Sequence, residues 1–524
     1  MSLCDEFLQD YVNIYPPFND SLLYTKFLKR KGILPNHLSK EYNNKEYKLI
    51  EKYYDLLKKK KDLSFCEKIL YHDLKYDKSF TFKSGGYLTD INDNILFMYY
   101  DICINKLSPL SNKESYLIVM NRLKSLTVIT TYTIKLLEQG IKNKVFINKL
   151  IINSFLDKAR TIIDDKIDPK NVPRNIKSVF IKSIDKYIIH NIKRLNNFVI
   201  NDYLKYCIDD IGLCAYPDGK KYYEQICKKE ILPNLTPEAI HQFGIQELRK
   251  DLALKKKLAK KIGCEDIDDY MYKHNKYFKK SDEIIKVLEK QRTDMYSKLC
   301  KYFYDDIHKL YDIKPISEFN MNMTAYYMGP DRGNGGVGTF FMNILKPDRI
   351  SHYELLVLSI HEGVPGHHYE GYLLYKSDKS DYIKNTLYSG YSEGWGLYCE
   401  SLYEYTNWKE YYYSIQYRIE RSLRLIIDTG IHYYGWSYDK CFDYMKKYFK
   451  NESDAFIEDQ ILRYSANPGQ ALTYKIGEQV ILFLKKEFMK KNKDIKAFHK
   501  IILDIGPCPL ELLIEKFREK LCNI

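Results

Sequence analysis

Apolar residues recur at three- and four-residue spacing over most of the chain, as in SYLIVMNRLKSLTVITTYTIKLLEQG (residues 115–140) and FINKLIINSFLDKARTIID (residues 146–164). That is the period of an amphipathic helix, and it predicts a mainly α protein. Punctuation is sparse, with 24 Gly and 16 Pro, no internal repeat and no flexible Gly/Ser linker. The chain therefore reads as a single domain over residues 1–524, helical over 1–310 and carrying its chemistry-bearing motifs over 311–524. One stretch departs from the helical pattern. In GTFFMNIL, Gly338 to Leu345, aromatic residues follow a glycine-rich turn and Pro347 closes the run, which predicts a strand whose edge can take up a peptide backbone. Gly333, Gly335 and Gly338 fit the spacing G-x-G-x-x-G, but a dinucleotide site needs a strand before the glycines and a helix after them. Here that order is reversed, so the segment reads as a turn leading into a strand.

The next segment holds most of the candidate chemistry. SIHEGVPGHHYEGYLL runs from Ser359 to Leu374, and His352, His361, His367 and His368 are four of only 12 histidines, gathered into seventeen residues. HYELLVLSIHEG reads as a helix buried through Leu355, Leu356, Val357 and Leu358, with His361 and Glu362 near its end. Imidazole is a common zinc ligand, and a glutamate beside it suits a general base. The histidine that a regular helical His-Glu-x-x-His site needs is replaced by Pro365, which lacks an N–H and whose ring collides with the carbonyl four residues back. A straight helix sets His367 about 9 Å along the axis from His361, too far for one ion. A kink at Pro365 and Gly366 can return it, which reads as a zinc motif expanded by two residues, H-E-x-x-P-G-H. His368 then supports the site or meets substrate, and the reverse assignment of His367 and His368 stays open.

A catalytic zinc takes three protein ligands. The third candidate is Glu393 in YSGYSEGWGLYCESLYEYT, which reads as a helix placing Glu393, Glu400 and Glu404 on one face, with Glu400 able to orient a ligand histidine. RIERSLRLIIDTGIHYYGW sets Arg418, Arg421 and Arg424 ahead of Asp428 and His432, where Arg424 and Asp428 have the spacing of an ordinary ion pair. LRYSANPGQALTYKIG gathers Arg463, Tyr464, Gln470, Tyr474 and Lys475 around a Pro468-Gly469 turn. Tyr464 or His432 is the expected oxyanion donor, and Arg463 and Lys475 are the expected contacts for a substrate carboxylate.

These motifs, with FLQDYVNIYPPF near the start, AYYMGPDRGNGGVGTFFMN, DTGIHYYGWS and GPCPLELLIEKF near the end, resemble the family known as domain of unknown function 885, grouped with gluzincin-like metallopeptidases. The likeness runs over nearly the whole chain. It implies a large helical metallopeptidase-like domain with a deep cleft and a small β-sheet next to the active-site helix. It also implies Zn2+ held by His361, His367 and Glu393 with Glu362 as base, and a peptide substrate. Asn334, Gly335 and Gly336 make the segment before the strand richer in glycine than the family pattern. Two alternatives to a peptidase are a catalytically silent scaffold that binds peptides or proteins, and a zinc hydrolase of non-peptide amides.

Composition narrows the surroundings. The net charge is +14, yet the lysine runs at 58–61, 255–257 and 279–280 sit in mixed-charge contexts and form no single stripe, so no nucleic-acid partner is expected. The 12 cysteines include no C-x-x-C pair, no apolar run approaches the length of a membrane span, and the first residues lack the pattern of an export signal carried by many relatives. A cytoplasmic protein without a membrane partner is the expectation.

Overall fold

The computed structural model of the chain describes residues 2–14, 36–79, 84–88, 91, 96, 97, 113–164, 172–304, 310–316, 324–329 and 337–522. The chain divides into two compact units, one of Met1–Leu63 with Asp73–Tyr222, the other of Ser64–His72 with Tyr223–Ile524. The helices up to the boundary are α1 (Leu3–Ile14), α2 (Lys40–Lys59), α3 (Phe65–Ser79), α4 (Lys113–Asn143), α5 (Lys149–Asp164), α6 (Arg174–Ile184), α7 (His190–Phe198) and α8 (Gly219–Glu230). α4 and α5 cover the two stretches whose apolar spacing predicted helix. Ile152, Phe155, Ala159 and Ile162 of α5, three and four residues apart, are all buried in the first unit.

The second unit continues with α9 (Pro237–Ile262), α10 (Ile267–His274), α11 (Ser281–Lys298), α12 (Leu355–Leu358), α13 (His367–Lys376), α14 (Asp381–Asn385) and α15 (Ser389–Leu402). It ends with α16 (Trp408–His432), α17 (Tyr438–Lys446), α18 (Asp454–Ala466), α19 (Thr473–Lys491), α20 (Ile495–Ile505) and α21 (Leu510–Cys522). No described helix is long and apolar enough to cross a membrane. α9 shows how local sequence sets its ends: Thr236 accepts the Ala239 N–H, Pro237 occupies the first turn, and Gly263 closes the helix at φ 79°. α16 is the inner helix of this unit, with every residue from Ile419 to His432 buried. Its charged residues must therefore find partners inside the protein. α15 lies against α19 at closest approach through glycine, since a Cβ on Gly394 would fall 2.4 Å from the Gly477 carbonyl carbon.

The predicted strand is present but shorter, β3 (Thr339–Met342), joined by β1 (Asp312–Pro315) and β2 (Ala325–Met328). The order is β1-β3-β2, with β1 parallel and β2 antiparallel to β3. Phe340 and Met342 point into the core and are fully buried. The expectation that a peptide adds to the edge of this strand is corrected here: β3 is central, and both of its edges are already hydrogen-bonded to neighbours. Gly333, Gly335 and the Asn334–Gly336 departure lie outside the described residues, as do Tyr15–Phe18 of the early motif.

Candidate metal centre

The buried helix expected to carry His361 is α12 followed by a wide π turn, Ser359–Gly363. π turns of this kind mark places where an extra residue has been accommodated. Val364 then takes an extended backbone, the Val364–Pro365 peptide is cis, and α13 starts at His367. The Gly366 N–H donates to the Ile360 carbonyl at 3.0 Å, a bond spanning six residues where a regular helix spans four. Only glycine fits at this closure, because a Cβ on Gly366 would sit 1.9 Å from the His361 carbonyl oxygen. The proline that forbids the regular helix and the glycine that permits the close return thus bring His367 back beside His361.

α15 locks this kink from the other side. The Trp395 indole N–H donates to the Pro365 carbonyl at 2.9 Å, and the Cys399 thiol approaches the same oxygen at 3.4 Å. One residue beyond Trp395, a Cβ on Gly396 would lie 2.6 Å from Cε1 of His361, so the imidazole rests flat on bare helix backbone. Glu393, one turn earlier, has its Oε2 3.3 Å from His361 Nε2 and 3.5 Å from His367 Nε2. One ligand atom from each of these three residues falls within 4.8 Å of the others. Four arms of ~2.05 Å in tetrahedral array set neighbouring donors about 3.3 Å apart, the spacing Glu393 keeps with both histidines. On the far side of the His361 ring, Nδ1 donates to Glu400 Oε1 at 2.8 Å, which turns Nε2 toward the shared centre. Arg421 stands 3.7 Å from the same Glu400 oxygen.

The electrostatics follow from burying many ionisable groups together. Burial opposes the charge on His361, but its bonds to Glu393 and Glu400 more than offset this and push it up to about 10. Burial likewise opposes charge on Glu393, yet the two imidazoles hold its carboxyl well below the usual carboxylate range. Glu362 is raised, chiefly by burial, with His361 and His367 opposing. Glu370, one turn along α13 and touching Ser392, is pushed up to about 7 by burial. The neighbouring carboxylates thus favour protons on both imidazoles, and a divalent cation can take the place of those protons.

The family model described as a bacterial protein of unknown function, DUF885, matches residues 26–516. The chain belongs to the DUF885 family. The fold is similar to that of a protein from Colwellia psychrerythraea provisionally named a lipoprotein, with a TM-score of 0.82, 18% identity, and 99% of this chain and 100% of that chain covered. It is also similar to a provisionally named lipoprotein of unknown function from Shewanella oneidensis, with a TM-score of 0.70, 16% identity and 98% of each chain covered. No curated protein matches the sequence.

In this DUF885 protein the structure brings together His361, Glu362, His367, Glu393 and Glu400, and gives the other singled-out residues different surroundings. His368 is buried against Tyr311 and bonds through Nδ1 to the Tyr327 hydroxyl of β2 at 2.9 Å, so it ties the sheet to α13. His432 meets the Tyr464 backbone carbonyl at 2.8 Å through Nε2, and the Tyr464 hydroxyl donates to Gln460. Lys475, expected at a substrate carboxylate, is fully buried beside Glu478 at 3.0 Å, Glu247 at 3.5 Å and Asp251 at 3.9 Å. Its ammonium is engaged inside the protein. Arg424 pairs with Glu420 at 2.6 Å rather than with Asp428, which accepts from the Tyr223 hydroxyl at 2.5 Å and from the Gly469 N–H. Glu404 lies beyond the end of α15 and reaches exposed Lys301, off the face it was expected to share. One contributor went unread in the sequence: Gly396, which does carry a signal, since a glycine inside a helix weakens it and needs a packing reason. Tyr474, read from the sequence only as part of the Pro468-Gly469 turn, sets its ring parallel to His361 at 6.5 Å.

Proposed function

We propose that this DUF885 protein is a zinc-dependent peptidase. The observation that carries the reading is the convergence of two imidazoles and one carboxylate, with ligand atoms within 4.8 Å of one another and Glu393 3.3 and 3.5 Å from the two nitrogens, and with buried Glu362 on the same turn as His361. Two nitrogens and one oxygen suit Zn2+, and three protein ligands leave room for catalysis. The ion, when bound, supplies Lewis acidity toward a water and a substrate carbonyl. Glu362 receives a proton from the attacking water and delivers it to the leaving nitrogen, a transfer favoured by its raised pKa. Overall one water is consumed: a C–O bond forms, the C–N bond breaks, and a carboxylate and an amine leave. Glu400 holds His361 in the orientation that directs Nε2 to the centre. A peptide backbone pairs along β2, an outer strand of the sheet linked to the motif through Tyr327 and His368. A reducing compartment is part of the same reading, supported by the absence of any disulfide among the described cysteines.

Digestion of a mixed peptide library with and without a chelator, followed by mass spectrometry, tests the proposal. Chelator-sensitive cleavage restored by Zn2+ is expected. The Glu362→Gln variant should retain the ion and lose roughly 100-fold or more in kcat. No cleavage under any divalent metal, or undiminished turnover by Glu362→Gln, would overturn it.

A further inference from the structure

Beside the triad, on the side of Tyr474, lies a group of cations with too few anions. Arg421, Arg424 and Arg463 surround Glu420, whose carboxyl all three hold below its usual range against the opposing effect of burial. Glu420 pairs with Arg424 at 2.6 Å and Arg421 at 3.7 Å, and Arg421 also faces Glu400. Among the described residues no carboxylate lies within ion-pair distance of Arg463. Its Nη2 instead donates to the Gln470 carbonyl oxygen at 2.9 Å and to the Tyr474 hydroxyl at 2.8 Å. Arg424 is 5% exposed, and its Nε and Nη1 lack a well-aligned hydrogen bond, with only the Tyr464 hydroxyl against the guanidinium besides Glu420. Buried guanidinium N–H groups without acceptors are costly and are uncommon unless something serves them. Their cation stacks on the Tyr474 ring at 4.2 Å, while Arg463, half-buried and therefore reachable, stands over the same ring at 5.6 Å.

We propose that Arg463, aligned by Tyr474 and Gln470 and backed by the charge of Arg424, binds the free C-terminal carboxylate of the substrate. The protein is then an exopeptidase that trims peptides from the C-terminal end. This rests on the peptidase reading above. A planar guanidinium offers paired donors matched to a carboxylate, and two of its nitrogens are left over from the contacts to Gln470 and Tyr474. The reach also fits. Arg463 Cζ at 5.6 Å and the His361 imidazole at 6.5 Å are both measured to the one Tyr474 ring. They therefore lie no more than about 12 Å apart, which at ~3.5 Å per extended residue leaves one to three residues beyond the cleaved bond. The reaction consumes one water and releases a free amino acid or a short peptide, leaving a new C-terminal carboxylate on the shortened chain.

The test separates binding from turnover. The Zn2+-loaded Glu362→Gln protein is titrated by calorimetry with a tetrapeptide carrying a free C-terminal acid and with its C-terminal amide. The acid should bind roughly 10- to 100-fold more tightly, as for a hydrogen bond to a charged group. Adding Arg463→Gln should erase that preference, and Arg463→Lys should restore part of it by returning charge without the fork. Each variant is checked for an unchanged circular dichroism spectrum and Tm, because a role confined to holding the Pro468-Gly469 turn would lower stability and leave the ratio of acid to amide binding untouched. Equal binding of acid and amide, no binding of either, or a preference that survives Arg463→Gln overturns the inference. Chelator-sensitive cleavage of amidated peptides at the rate of free acids would leave the peptidase reading standing and sink the clamp. Acid-selective binding with no hydrolysis of any peptide by the parent protein would do the reverse.

Discussion

Two buried polar clusters in the same unit invite comparison. At the histidine centre, Glu393 and Glu400 face imidazoles that can carry protons, whereas around Lys475 the three carboxylates of Glu247, Asp251 and Glu478 are balanced by three cations, Lys475, Arg418 and Lys250. Both satisfy the demand that buried charge be paired. Only the first is built from groups that can exchange a proton for a metal ion, and there, among the described residues, the ligand atoms of three residues lie within 4.8 Å of one another with no lysine or arginine between them. The second carries permanent cations, so its charge is closed and it reads as a structural knot between α9, α16 and α19. Burial and charge alone therefore do not distinguish a reactive centre from a strut; the kind of cation does.

Removing a ligand should split the clusters most widely. His361→Ala or Glu393→Ala is expected to weaken Zn2+ binding beyond the ~100-fold typical of a lost outer partner, measured by competition with a chromophoric chelator, while the thermal transition of the metal-free protein changes little by comparison. Lys475→Met should invert that result: removing the ammonium leaves carboxylates uncompensated in the interior, for an expected loss of about 3–5 kcal/mol in denaturant unfolding with metal affinity kept. A variant that lost metal and kept stability would move the Lys475 knot into the reactive class. Glu400→Gln is next in size. It should cost 10- to 100-fold in metal affinity, roughly, because His361 keeps a hydrogen bond but loses the carboxylate that orients it.

The smallest effect belongs to another buried carboxyl, Asp428, which accepts from the Tyr223 hydroxyl and the Gly469 N–H and forms no ion pair among the described residues. Burial pushes it from 3.8 up to about 7, so the folded chain holds this proton more tightly than the unfolded chain does. Its contribution to stability is complete below 3.8 and is lost as the pH rises through about 7. Thermal melts between pH 5 and 8 should show that decline, and Asp428→Asn, which keeps the shape and both bonds, should make it shallower, leaving the part due to Glu370, which titrates in the same range. An unchanged pH profile in the variant would place the titration elsewhere.

How far the sequence could be read depended on how unusual each residue was. The centre was legible because histidines are scarce in this chain and because Pro365 and Gly366 impose a particular departure from helix geometry on residues that must meet. The helices were legible from apolar period, α4 and α5 among them. The sheet was only a third legible: aromatic β3 has a strand's composition, whereas β1, Asp-Ile-Lys-Pro, is polar and ends in proline, and only its pairing makes it a strand. That hidden pairing is also why β3 looked like an open edge. Arg424 had a carboxylate four residues away on either side, Glu420 and Asp428, and spacing gives no reason to prefer one. Lys475 beside a turn looks like a surface group until the glycine contact between α15 and α19 shows its helix to be inside.

The chain contains 3 tryptophans, and one of them, Trp395, donates its indole N–H to the carbonyl of the proline that shapes the histidine turn. The hinge therefore carries its own optical reporter. Any event that releases the Pro365 carbonyl must also change the polarity around that indole, so a red shift in emission would register the opening of this turn directly, without a label and without a substrate.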